Sequence, residues 1–180
     1  MVRDVRAALV KEAGFARSRT EPRLNYSSQR RGDVSFVDET RRVHLHYITD
    51  DVIVHPLCRT HIGKDAKQLL ADEEKRKGKD YEQPLALLRS AQACVAGLRK
   101  VVFWACAFSS LGEMSKQSVQ FINGAAEFAK RSAARLQSLN PRDDGLTPKQ
   151  IAARFRFRMR ALIQSAILNG NALIARTAGL

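Results

Sequence analysis

Hydrophobic positions along the chain fall into helix-like and strand-like stretches. From Val2 to Phe15 the residues Val5, Ala8, Leu9 and Glu12 to Ala13 follow three- and four-residue spacing, which predicts a helix with Gly14 as its stop. Arg17 to Gln29 is polar, with room for a short strand around Arg23 to Tyr26. Beyond Gly32 come two strand patterns, Asp33 to Val37 and Val43 to Val54, joined by the polar turn Asp38 to Arg42. In the second, Val43, Leu45, Tyr47, Thr49, Asp51 and Ile53 share one face by period-two alternation. Together they make a β-hairpin, which Pro56 ends.

Thr60 to Lys79 predicts a charged helix, and Pro84 to Leu98 a second helical piece. Val101 to Phe108 (VVFWACAF) is apolar without interruption, the pattern of a strand covered on both faces. Glu113 to Leu139 predicts a long amphipathic helix and residues 140–145 a loop. Thr147-Pro148 then supplies an N-cap and a proline at the first helical position, opening a last helix to about Ala175. The expected fold is α/β, a small mixed sheet with a central β-hairpin flanked by helices and a helical C-terminal end.

Composition narrows the class. The chain has 180 residues, enough for one domain with a sizeable core, and a formal net charge of +13. Basic side chains outnumber acidic ones 18 to 14 in residues 1–90 and 13 to 4 in residues 91–180. Such asymmetry favours a polyanionic partner, because lysine and arginine release counterions from phosphate backbones. Three cysteines, at 58, 94 and 106, make no disulfide framework and suit a reducing compartment. No uncharged apolar run approaches the ~18 residues of a membrane span. The N-terminal stretch lacks an apolar signal core, and Asp4 and Glu12 argue against a transit peptide. The expectation is a soluble, intracellular, basic domain.

Candidate chemistry centres on two aspartates. Asp33 enters the first hairpin strand and Asp51 sits near the end of the second, so antiparallel pairing brings both to one end of the sheet. Two carboxylates there suit Mg²⁺, which takes hard oxygen ligands and keeps waters for phosphate chemistry. The plainer reading makes Asp33 a turn residue and Asp51 the breaker of an edge strand. Lys77 and Tyr81 stand four apart and share a face if the helix survives Gly78; the alternative is a solvated charged face. His55, Cys58 and His61 have zinc-like spacing but no fourth ligand, and incidental spacing is the better reading. Arg154, Arg156, Arg158 and Arg160 spread round most of a helix, so some must meet a neighbour or a ligand. They are candidate phosphate contacts, together with Lys130 and Arg131.

The order of short motifs carries a resemblance. VRDVRAAL, Gly14-Phe15, Glu21-Pro22, Arg31-Gly32-Asp33-Val34 and Asp51-Val52-Ile53-Val54-His55-Pro56 are followed by a Glu/Lys helix ending near Tyr81. Later come Phe108-Ser109-Ser110-Leu111-Gly112 and Asn169-Gly170-Asn171-Ala172. The series resembles the C-terminal region of non-LTR retrotransposon polyproteins, where a restriction-like PD-(D/E)xK endonuclease follows the reverse transcriptase.

The resemblance implies one restriction-endonuclease-like domain over residues 1–180, with a catalytic-type core at 1–112 and a helical basic part at 113–180. Asp33 would be the family's first aspartate, preceded by Gly32 in place of proline, and Asp51 the acid of the (D/E)xK element. The family's lysine would fall at Ile53, so Lys77 takes that role, with Lys75 and Lys79 as alternates. Glu21 would support the metal, Mg²⁺ or Mn²⁺. The reaction implied is hydrolysis of a DNA phosphodiester at the insertion target, priming reverse transcription. The implied partners are DNA, RNA of the element and the reverse-transcriptase part of a parent polyprotein. The sequence includes neither that polymerase nor the Cys/His segment expected upstream of Val2, as in a fragment or co-opted remnant. A nuclear location follows if the element is eukaryotic. Two other readings stay open: a catalytically degenerate nucleic-acid-binding module on the same scaffold, and a basic helical scaffold in a ribonucleoprotein.

Overall fold

A computed structural model describes residues 2–22, 32–41, 43–94, 99–139 and 146–177. Helix α1 (Val2–Glu12) is followed by strands β1 (Ala16–Thr20), β2 (Val34–Asp38) and β3 (His44–Val54). Helix α2 (Ala66–Cys94) leads to β4 (Arg99–Ser109), and helices α3 (Lys116–Leu139) and α4 (Pro148–Thr177) complete the chain. The strands form one mixed sheet in the order β1-β2-β3-β4. β1 pairs antiparallel with β2 and β2 with β3, while β3 and β4 run parallel over their full length.

A parallel pair needs a crossover, and α2 supplies it. Alternation then decides which side chain goes where. Phe36, Tyr47, Trp104, Cys106 and Phe108 point to one face, where α1, α3 and α4 close a core with Leu9, Phe121, Ile122, Met159 and Ile163. Ile48, Val54, Val101 and Ala107 point to the other, against Leu69, Leu70, Tyr81 and Leu85 of α2. VVFWACAF is apolar throughout because β4 is covered on both faces.

Several elements depart from the sequence pattern. β1 was not predicted; its ARSRT sequence has no apolar alternation, and pairing with β2 makes it a strand. The strand expected around Arg23 to Tyr26 falls outside the described residues. Thr60 to Asp65 forms turns, and the two expected helical pieces are one helix that passes through Gly78 and Pro84. Pro84 removes one backbone donor, and packing of Tyr81 and Leu85 on the sheet holds the helix through it. Gly14, at φ +87°, ends α1 as expected. Thr147 caps α4 reciprocally: its Oγ1 accepts from Gln150 N at 3.3 Å while Gln150 Oε1 accepts from Thr147 N at 2.8 Å.

The outer edge of β4 is met by side chains. Gln117 Oε1 accepts from Ala105 N at 3.0 Å and Ser115 Oγ from Ala107 N at 3.2 Å, while Ser109 N donates to the Glu113 carbonyl. Glu74 of α2 accepts in turn from Gln117 N at 2.6 Å, tying the crossover helix to the start of α3.

Candidate active site

The β2–β3 register builds the site. Val34 pairs with Thr49, so the next step places Asp33 level with Asp50. Asp33 N donates to the Thr49 carbonyl at 2.7 Å, and Asp33 Oδ2 accepts from Asp51 N at 2.5 Å. Gly32 permits this approach. A Cβ there would lie 2.7 Å from Ile48 Cγ2 and 3.1 Å from the Thr49 carbonyl oxygen, so any side chain would push the two strands apart.

Asp50 and Asp51 then diverge, as neighbours on a strand must. Asp50 is buried on the α2 side, where its carboxylate pairs with Lys77 and accepts from the Tyr81 hydroxyl at 3.0 Å. Lys77 and Tyr81 do share a helix face, and Asp50 is what they share. Asp51 turns to the opposite side and pairs with Arg6, a fully buried arginine of α1. The Arg6 guanidinium also lies over the Phe121 ring at 4.0 Å and beside Cys106, whose thiol pKa is pushed up by burial. Asp33 sits between these pairs and is ion-paired to none of the described residues. Burial and the neighbouring Asp50 carboxylate push its pKa up to about 6, against the pull of Arg6, Lys77 and Arg3.

The expected residues are thus partly brought together. Asp33, Asp51 and Lys77 all stand at one end of the β2–β3 pair, but the Asp51 carboxylate lies on the face away from Lys77. Lys75 and Lys79, the alternates, are exposed. Glu21 approaches Asp33 through its backbone, its N–H donating to the Asp33 carbonyl at 2.9 Å, and its carboxylate pairs with Arg3 at the surface. Among the described residues no group of three or more His, Cys, Asp and Glu side chains could hold a metal ion. That includes His55, Cys58 and His61, where Cys58 Sγ meets Thr60 Oγ1 at 3.2 Å and His61 Nδ1 meets the His55 carbonyl at 3.0 Å.

The candidate phosphate contacts stand elsewhere. Arg131 pairs at 2.8 Å with Asp38, the last residue of β2, about 17 Å of strand from Asp33. Lys130 pairs with Glu127 at 3.1 Å. Arg158 pairs with Glu12, and both line a cavity of about 420 Å³ with Arg154 and Phe155. Arg154 and Arg160 are exposed and Arg156 half-buried; none of the three is ion-paired to a described residue.

Asp50 and Arg6 were missed by the sequence pattern, and each left a signal. Asp50 alternates with Ile48, Val52 and Val54, the face that a crossover helix must cover, which is the helix of Lys77. In α1 the buried residues are Val2, Arg6, Leu9 and Val10, so Arg6 lies in the apolar stripe itself. No protein-family model matches the chain, and no curated protein matches it.

Proposed function

We propose that the chain is a retroelement-derived, metal-dependent DNA endonuclease domain of the PD-(D/E)xK kind, with its second acid at Asp50. The observation that carries this reading is that Asp33 stands level with Asp50, whose carboxylate Lys77 holds, where β2 meets β3. Burial, and after it the neighbouring Asp50 carboxylate, raises the Asp33 pKa, and a hard divalent cation offsets the repulsion between two such oxygen donors. Mg²⁺ is commonly held by one or two carboxylates plus its own waters, so this pair suffices as a donor set. When bound, the ion supplies a Lewis acid and a water of lowered pKa.

The chain's own residues do the rest. Tyr81 orients the Asp50 carboxylate, and Asp51 N–H orients that of Asp33. Lys77 carries the positive charge that would offset the negative charge developing on the phosphate oxygens. The lysine comes from α2 because position 52, which shares the Asp50 face, is Val52. Arg154, Arg156 and Arg160, ion-paired to no described residue, would hold DNA backbone away from the site.

Nicking of supercoiled plasmid in Mg²⁺ or Mn²⁺, abolished by EDTA and by Asp33→Ala or Asp50→Ala, is the expected result. Cleavage unchanged in both variants would sink the reading. A second reading, a basic nucleic-acid-binding module without chemistry, draws on the salt bridges that already occupy Asp50 and Asp51. It predicts no thermal stabilisation by Mg²⁺, whereas an ion that binds only the folded state must raise the midpoint.

A further inference from the structure

We propose that residues 55–65 form an apolar-tipped element that inserts into a DNA duplex beside the site; this rests on the endonuclease reading above. The segment follows β3 directly, beginning four residues beyond Asp51, at the same end of the sheet as Asp33 and Asp50. It is a series of tight turns. Cys58 N donates to the His55 carbonyl, His61 N and Ile62 N to the Cys58 carbonyl, and Lys64 N to the His61 carbonyl. A backbone so closely hydrogen-bonded sets the points from which its side chains project.

Two of them are large and apolar. Leu57 is 77% exposed and Ile62 70%. A third tip, Leu111 at 63%, stands on the β4–α3 turn, which is fastened to the start of this segment by Ser110 N donating to the Val54 carbonyl at 2.8 Å. A lone exposed leucine is ordinary on a protein surface, but three large apolar side chains on two turns joined by a hydrogen bond make a set that suits an apolar partner. The surroundings say which partner. Arg59 and Lys64 are exposed, interleaved with the tips, and bound to no described carboxylate. A protein partner is matched by a broad apolar patch with few charges at its centre. Single apolar tips between cations match an anionic surface with an apolar interior, the phosphates and stacked bases of a duplex. Leucine and isoleucine wedged between base steps kink DNA and let it wrap more protein.

The test is energy transfer between dyes at the two ends of a short duplex, titrated with the full chain in EDTA so that no cutting intervenes. The wild-type chain is expected to bend the duplex. Leu57→Ser with Ile62→Ser, at surface positions that leave the core untouched, is expected to bind about tenfold more weakly and leave the duplex straight. Arg59→Gln with Lys64→Gln should keep the bend and lower the salt slope of binding by about 2. Equal affinity and equal energy transfer for the wild type and the serine variant would overturn the proposal. So would a serine variant that binds and bends DNA normally but dissociates a dimer of the chain, since the tips would then meet a second copy. Plasmid nicking separates the two readings: a chain that bends duplexes and never nicks fails as an endonuclease, and one that nicks straight DNA fails here alone.

Discussion

Asp50 and Asp51, adjacent in the chain, send their carboxylates to opposite faces of the sheet, one to Lys77 and the other to Arg6. The first pair is bordered by Asp33 and reaches water only along the Lys77 side chain, 18% exposed. The second is sealed beneath α1. One dipeptide therefore serves the candidate chemistry on one face and anchors a helix on the other.

The two aspartates should separate by experiment. Asp50→Asn and Lys77→Met are expected to lower nicking by about 10²–10³ in chains that remain folded at the assay temperature, the usual loss when a charge aimed at the reacting group is removed. Asp51→Asn should show its main effect in the melting curve. Nicking rates and thermal midpoints, measured on the same preparations, check the split.

Arg6→Met leaves a carboxylate buried without its partner, which typically costs about 3–5 kcal/mol. The double variant Arg6→Met with Asp51→Leu removes both charges and should recover most of that loss. Urea denaturation of the three chains tests this, and a double variant no more stable than the single one would contradict it.

Asp33 gives the metal-free chain a defined pH dependence. Its pKa is about 6 in the folded chain and 3.8 in the unfolded one, so across that window the folded chain holds a proton the unfolded chain has released. Stability from this group is greatest at low pH and is lost as pH rises through 6. Asp33→Asn cannot ionise, so its advantage over the parent should widen between pH 4 and 6 and stay constant above. Denaturation in EDTA across that range reads the difference, and Mg²⁺ should shrink it.

Gly32→Ala introduces a Cβ into space held by Ile48 and the Thr49 carbonyl. Overpacking of this kind costs about 1–3 kcal/mol and here shifts Asp33 against β3. The expected result is a lowered thermal midpoint together with reduced nicking, measured against Gly78→Ala, where a Cβ meets nothing within 4 Å.

Arg154 and Arg160, if they hold backbone phosphate, each contribute about 0.9 to the slope of log affinity against log salt. Changing both to glutamine should flatten the slope by about 2 without altering plasmid nicking at saturating protein. Binding titrations at several salt concentrations provide the check.

What the sequence made legible follows from how local each signal is. The β2–β3 hairpin and β4 carry their patterns within a dozen residues, by alternation in one case and unbroken apolarity in the other. β1 was hidden because nothing in Arg17-Ser18-Arg19 asks for a strand; only β2 beside it does. α2 looked divided because Gly78 and Pro84 are local breakers, whereas Tyr81 and Leu85 are fixed by the sheet they cover. The site was half legible. Gly32-Asp33 before a strand was visible, and so was the four-residue spacing of Lys77 and Tyr81. The choice between Asp50 and Asp51 depended on which face α2 covers, a question of topology. Alternation alone had already grouped Asp51 with Leu45 and Tyr47, the face that α1 and α3 close over. Arg6 was concealed by its type, since an arginine on a short basic helix reads as solvated until its apolar neighbours in the stripe are counted.

The side chains along the outer edge of β4 have a further consequence for the life of the chain in solution. VVFWACAF is uncharged, apolar and free of proline and glycine, the composition of cross-β segments, and an edge strand with free backbone groups recruits copies of itself. Gln117 and Ser115 occupy the amides of Ala105 and Ala107, and the turn at Glu113 occupies that of Ser109. Half of the segment is thereby withdrawn from intermolecular pairing, and α3 acts as a stopper on the growing end of the sheet. Loosening that stopper, with Gln117→Ala and Ser115→Ala together, would turn a folded domain into a template for fibrils.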